Sequence, residues 1–172
     1  DSQDICFVPD GDYVGFMEQY TGKRYPSGDF IDENGKKIGT HAGAVRYTIG
    51  QRRGLGLPMG DRVYVCAKDM EKNTVTVGPV ASLFATRVIV RDMNWISVPG
   101  LTGEMRVKAK LRYRQKEQPA VASPLDGGRI LLTFDGPQRG PAIGQAAVLY
   151  DGDTVVGGGT ICGVPKDGEV CR

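Results

Sequence analysis

Turn signals punctuate this sequence so often that most of it has no room for a long element. Asn34-Gly35, residues 69–73, Gly78-Pro79, Asp126-Gly127-Gly128 and Asp151-Gly152-Asp153 separate short runs in which apolar and polar residues alternate, the mark of half-buried strands. Asn-Gly is a strong hairpin signal because both central positions of the turn need positive φ. The expected strands are 29–32, 36–40, 63–68, 74–77, 86–91, 104–114, 120–123, 129–134, 146–150 and 154–164. Short strands at this spacing form a closed barrel or a sandwich. Residues 10–22 alone carry a clear helical period, with Tyr13, Phe16, Met17 and Tyr20 on one face, Asp10 or Asp12 as N-cap and Gly22 as stop. The segment 44–53 fits either period: Ala44, Tyr47 and Thr48 share a helical face, whereas Val45, Tyr47 and Ile49 alternate. The expected fold is mainly β, with one N-terminal helix and a boundary near residue 80 between a small β domain and a larger barrel.

Composition removes several classes of function. No apolar run approaches the ~20 residues of a membrane-spanning helix, and nothing reads as a signal peptide. The chain begins at Asp1 rather than Met, which suggests a processed product or a piece of something longer. Its cysteines, Cys6, Cys66, Cys162 and Cys171, form no C-x-x-C pair and accompany a single histidine, His41. Zinc ligation needs closer spacing, and a self-contained Ser-His-Asp or Cys-His enzyme is improbable. Asp32-Glu33-Asn34-Gly35 imitates a calcium loop, but Phe30 stands at its first ligand position. No metal site is therefore expected, and the thiols are expected to be free in a reducing cytoplasm. Cys6, close to the chain start among polar residues, is open to two readings: an inert thiol or an exposed, reactive one.

Charge is more informative than the net value of +2. Residues 41–120 carry 14 basic and 6 acidic groups, whereas the flanks are acidic, a distribution that suits contact with a polyanion. Within that stretch Arg106, Lys108, Lys110, Arg112, Arg114 and Lys116 occupy every second position. On one continuous strand all six point to one face at steps of about 6.6 Å. Such a ladder serves either to deter edge pairing or to follow a phosphate backbone. On a regular strand Tyr113 falls on the face opposite these cations. Gly50-Gln51-Arg52-Arg53-Gly54-Leu55-Gly56 is a second basic, glycine-rich segment, open as a turn or as an RNA contact. It fails as a dinucleotide fingerprint because Met59 replaces the third glycine.

Five motifs then occur in a familiar order: Asp4-Ile5-Cys6-Phe7; Gly39-Thr40-His41-Ala42-Gly43 leading to Tyr47-Thr48-Ile49-Gly50-Gln51-Arg52-Arg53-Gly54-Leu55-Gly56; Leu111-Arg112-Tyr113-Arg114-Gln115; Pro137-Gln138-Arg139 with Gly144-Gln145; and Tyr150-Asp151-Gly152 to Gly157-Gly158-Gly159. In these the chain resembles the C-terminal half of bacterial tRNA-specific 2-thiouridylases of the MnmA/TrmU type. The resemblance implies a catalytic-cysteine segment and helix over 1–24, a PRC-barrel-like central β domain over 25–80, and a six-stranded, aminomethyltransferase-like β-barrel over 81–172. It implies a cytoplasmic enzyme that places sulfur at C2 of the wobble uridine of tRNA. Cys6 would carry the persulfide intermediate, and Arg112, Tyr113 and Gln145 would contact tRNA. The basic patterns add Arg52, Arg53, Lys108, Lys110 and Arg114. The family's ATP, with Mg, belongs to an N-terminal PP-loop domain in cis, and a sulfur-relay donor protein reloads the cysteine. This chain has no Ser-Gly-Gly-x-Asp-Ser motif, so alone it is expected neither to adenylate nor to thiolate. Gly140-Pro141-Ala142-Ile143 also departs from the family's Thr-Pro before Gly-Gln. The alternatives are a stand-alone β-rich RNA-binding module without catalysis, or a barrel for a phosphate ligand or flavin.

Overall fold

In the computed structural model, which describes residues 12–57 and 63–165, the chain divides into two compact units between Leu83 and Phe84. The first opens with helix α1 (Tyr13–Thr21). Asp12 starts it by accepting the Gly15 amide hydrogen at 3.0 Å, which satisfies one of the otherwise unpaired N–H groups of the first turn. Gly22 ends it at φ +67° and returns its own N–H to the Glu18 carbonyl. The expected apolar stripe packs only in part, with Tyr13, Phe16 and Met17 half-buried. Val14 is the buried residue of the helix, while Phe16 and Tyr20 stack on each other at 6.0 Å and Tyr20 stays 80% exposed.

Strands β1 (Gly28–Ile31), β2 (Lys37–His41), β3 (Tyr64–Asp69) and β4 (Thr74–Gly78) form one sheet in the order β2-β1-β4-β3. The β1–β4 pair is parallel and the other two pairs are antiparallel. The β1–β2 turn is fixed by Asp32, whose Oδ1 accepts the amide hydrogens of Asn34 and Lys36. Gly35 supplies the positive φ of +81°. Phe30, Ala44, Tyr47, Leu55, Val65, Val75 and Val77 make the core. Residues 44–53 are neither a helix nor a strand: a single 3₁₀ turn, Ala44–Arg46, gives way to extended Tyr47 and a turn in which Gln51 N donates to Thr48 O.

The second unit is a closed barrel of β5 (Phe84–Trp95), β6 (Met105–Lys110), β7 (Gln118–Pro124), β8 (Ile130–Arg139), β9 (Ala146–Asp151) and β10 (Thr154–Gly163). The order around it is β10-β5-β8-β7-β6-β9, with every neighbour antiparallel. This is the mainly β, single-helix fold with a six-stranded barrel that the turns and motifs predicted. Alternate residues fill the interior: Ala109, Ala120, Ala122 and Ala147 leave space that Leu132, Phe134, Leu149 and Ile161 occupy, the small-with-large packing a narrow barrel needs. The three consecutive glycines of β10 have a steric cause. A Cβ on Gly159 would stand 2.5 Å from the Arg91 carbonyl oxygen and 2.7 Å from Met93 Sδ, so β10 can lie this close to β5 only without a side chain there.

One expectation requires correction. The run 104–114 is not a single strand: β6 stops at Lys110, so the six cations do not share a face. The last β6 pairs are Ala109 with Gln118 of β7 and Lys110 with Val148 of β9. Past that point the chain has to reverse into β7, and a strand without ladder partners on either side cannot satisfy its backbone groups. Residues 112–115 form a turn instead, closed by Gln115 N donating to Arg112 O at 3.1 Å. Strand β8 shows the opposite error and runs five residues beyond its expected end, to Arg139. The register shifts across this stretch, between Ala85 and Arg87 of β5, where Pro137 has no N–H to give to a ladder.

Candidate nucleic-acid interface

The strand end at Lys110 changes what the basic residues can do. Arg112 follows the buried Leu111 and extends its guanidinium to the β8–β9 connection, where Nη2 donates to the Gly140 carbonyl at 2.6 Å. Gln115, at the far corner of the turn, donates from Nε2 to Gln138 Oε1 at 2.7 Å. Between these corners Tyr113 is 95% exposed and Arg114 is also exposed. Tyr113 therefore lies beside arginines rather than across a strand from them, which removes the facing conflict posed by a regular strand. An exposed aromatic ring between guanidinium groups can stack on a base or sugar while the cations meet phosphate.

Gln145 belongs to the same end of the barrel. The β8–β9 connection that receives Arg112 at Gly140 leads directly to it, and two backbone bonds tie it to β10: Gly144 N to Ile161 O, and Ile161 N to Gln145 O, each 2.8 Å. Its side chain is exposed. Thus Arg112, Tyr113, Arg114 and Gln145, spread over 34 positions of sequence, come from two loops linked by one side-chain-to-backbone bond.

The remaining cations of the predicted ladder are used differently. Arg106 reaches over β7 to form a two-pronged pair with Asp135 of β8. That carboxylate is held below its usual range first by the hydrogen bond from Arg106. Lys108 is exposed on β6; Lys110 lies with its ammonium 6.0 Å from the centroid of the Tyr150 ring. Glu117 stays ionised to lower pH than usual, first through its own backbone N–H and then through the positive charge of Lys108, Lys110 and Lys116. One carboxylate therefore offsets part of that lysine cluster. Local charge is smaller than the sequence count suggests, and of the ladder cations Arg112, Arg114 and Lys116 are exposed at or next to the turn.

Arg52 and Arg53 occupy a loop in the first unit. Gly50 N donates to Val65 O at 2.8 Å and Val65 N to Gln51 O at 2.9 Å, which fastens the loop to β3. The Gln51 side chain then accepts from Thr48 N and donates to Arg53 O, both at 3.0 Å. Leu55 is buried below, and Gly50, Gly54 and Gly56 take positive φ. Both arginine side chains are left exposed. His41 is part of the core behind this loop and not a surface base. It is 2% exposed, its Nδ1 accepts the Gly43 amide hydrogen at 3.0 Å, and Phe30 and Tyr47 pack around it. Burial, the largest influence, holds its imidazole below the ordinary value.

Cys6 lies outside the described residues. Cys66 and Cys162 are free thiols on β3 and β10. Burial pushes the Cys66 thiol up to about 11, so it is almost wholly protonated at neutral pH and a poor nucleophile. Among the described residues no three His, Cys, Asp or Glu side chains gather to hold a metal, and no helix is long and apolar enough to cross a membrane. Gln115, Gln138 and Gly140 were not assigned a role from sequence, although two of them fall within its motifs. The available signal was a glutamine next to Pro137, just beyond the expected strand 129–134.

Comparison with known proteins gives the arrangement a family. The tRNA methyl transferase PRC-barrel domain matches residues 14–79, and the aminomethyltransferase β-barrel domain matches residues 85–161. The chain is 47% identical over 161 residues to the tRNA-specific 2-thiouridylase MnmA of Acetivibrio thermocellus, covering 94% of this chain and 45% of that protein. It is 48% identical over 163 residues to that of Heliobacterium modesticaldum, covering 94% and 42%, and 48% identical over 161 residues to MnmA 1 of a Thermoanaerobacter species, covering 94% and 44%. The chain thus spans a little under half the length of these relatives. With both family domains in order and this identity along nearly its whole length, it belongs to the tRNA-specific 2-thiouridylase family.

Proposed function

We propose that this chain is the tRNA-holding and sulfur-carrying part of a cytoplasmic tRNA-uridine 2-sulfurtransferase. The observation that carries the tRNA half of the reading is the turn at 112–115. It holds Tyr113 at 95% exposure beside two arginines, at the barrel end that also bears Gln145. Phosphate contacts by arginine set position and salt dependence, and an aromatic ring adds stacking. Arg52, Arg53, Lys108 and Lys110 supply further phosphate contacts.

The sulfur half rests on the Asp4-Ile5-Cys6-Phe7 motif. Cysteine is the side chain that both attacks carbon and carries a second sulfur. The terminal sulfur of the Cys6 persulfide attacks C2 of the adenylated uridine, and AMP leaves with the former C2 oxygen. A thiolate from a second cysteine, outside this chain, then attacks Cys6 Sγ. The S–S bond to the base breaks, 2-thiouridine is released and a disulfide remains, to be reduced before a sulfur-relay protein reloads Cys6. The sequence has no PP-loop, so this reading assigns adenylation to a separate domain of the full-length protein.

The test is mass spectrometry of tRNA from cells whose only copy of the full-length enzyme carries Cys6→Ser. 2-Thiouridine is expected to disappear, whereas Cys66→Ser retains it. A normal level in Cys6→Ser cells would leave the chain as an RNA-binding module without sulfur chemistry.

A further inference from the structure

We propose that Gln138 is a positioning residue for the tRNA-facing turn and acts through Gln115. This rests on the reading that residues 112–115 meet tRNA. Among the described residues, Gln138 and His41 are the buried polar side chains. A buried amide is costly unless its donor and acceptor are both used. Gln138 uses both: Oε1 accepts from Gln115 Nε2 at 2.7 Å, and Nε2 donates to Gly136 O at 2.8 Å. The bond to Gln115 spans 23 positions and joins two of the motifs that identified the family, Arg112-Tyr113-Arg114-Gln115 and Pro137-Gln138-Arg139.

The effect on the turn follows from where it is attached. Arg112 is bonded to Gly140 O and Gln115 to Gln138, so both corners are fastened to the segment 138–140. Each corner is also bonded to the other through Gln115 N and Arg112 O. The two central residues, Tyr113 and Arg114, are thereby presented in one orientation. A turn closed by its own backbone bond alone samples more conformations, and ordering it on binding lowers affinity. Neither glutamine is charged, so their contribution differs from that of the arginines: it alters affinity without altering the number of phosphates neutralised.

The experiment is titration of tRNA with this chain, wild type and carrying Gln138→Ala, Gln115→Ala or both, over a series of salt concentrations. Amide order parameters are measured on the same proteins. Each single variant is expected to bind about 3- to 10-fold more weakly, the range for releasing one immobilised side chain, with an unchanged slope of log affinity against log salt. The double variant binds no more weakly than the weaker single, because both remove the same bond. Order parameters at Tyr113 and Arg114 fall from about 0.85 to below about 0.6, while those of β6 do not change. Unchanged affinity, or unchanged order parameters, in Gln115→Ala overturns the proposal. If Gln138→Ala does not fold, Gln115→Ala decides alone, since its side chain is only half-buried. A wild-type chain that does not bind tRNA defeats the parent reading and this inference together, a result distinct from binding that ignores Gln115.

Discussion

The two basic loops of this chain are built from similar residues and held in opposite ways. Residues 50–56 are stapled locally: Gln51 bridges Thr48 N and Arg53 O, positive-φ glycines set the path, and the exposed arginine side chains are not the fasteners. Residues 112–115 are held from a distance, by Gly140 and Gln138 on the far side of β7, and Arg112 is itself one of the fasteners. The first loop presents two cations that are free to exchange one basic group for another. In the second, charge and architecture share a side chain, so a substitution there changes both.

The comparison breaks most readily at Arg112. Arg112→Lys keeps the charge but loses the planar fork that reaches Gly140. A hydrogen bond from a charged group is worth about 1.5–3 kcal/mol, so tRNA affinity is expected to fall about tenfold or more at constant salt slope. The double variant Arg52→Lys, Arg53→Lys should stay within about twofold of wild type, because phosphate is met there by charge alone. Equal losses in a binding titration would show that the two loops are not held differently.

A smaller effect is expected from the staple. Gln51→Ala removes two side-chain hydrogen bonds at about 1 kcal/mol each. Faster amide exchange at Gly50 and Val65, with exchange in β7 and β8 unchanged, is the expected signature. If β7 and β8 also exchange faster, the local account of this loop is wrong.

The smallest effect is on pH. His41 is the single histidine of the chain, and burial depresses its folded-state affinity for a proton. Below the ordinary imidazole value near 6.5 the unfolded chain binds a proton that the folded chain does not, so stability falls as pH drops. Protonation would also break the bond that Nδ1 accepts from Gly43 N. Protection of the β1 and β4 amides, corrected for the intrinsic pH dependence of exchange, should therefore fall as pH drops below about 6.5, while that of the barrel strands does not respond. His41→Gln should flatten the response; an unaltered pH slope in that variant would remove His41 as its source.

Much of the fold was legible because its signals are local. Asn34-Gly35 and Asp151-Gly152-Asp153 mark turns whichever strand follows, and the alternation of Val88 with Val90 or Ile130 with Leu132 states which face is apolar. Two features were illegible for physical reasons. Alternation continues past Lys110 through Leu111 and Tyr113, so nothing in the sequence ends β6; what ends it is the lack of partners beyond Gln118 and Val148. Gln138 lies beyond the expected strand 129–134 and reads as an ordinary polar residue, because its burial depends on β5 and on the turn folded against it. The α1 stripe is a third case: its period was correct, but period does not say which neighbour covers a face.

The sequence by itself determined the strand-rich class and the turns, which are carried by residue type and near spacing, and its motifs carried the family resemblance through which Cys6, Arg112, Tyr113 and Gln145 became candidates. Only the tertiary structure decided which cations are available. Arg106 is engaged by Asp135, the lysines share Glu117, and Arg112 is tied to Gly140. Those outcomes depend on groups brought from other strands, and a hydrogen bond or ion pair exists only once closure of the barrel has set its distance. The +8 middle of the chain is therefore a composition fact, and the exposed turn at its end is a structural one.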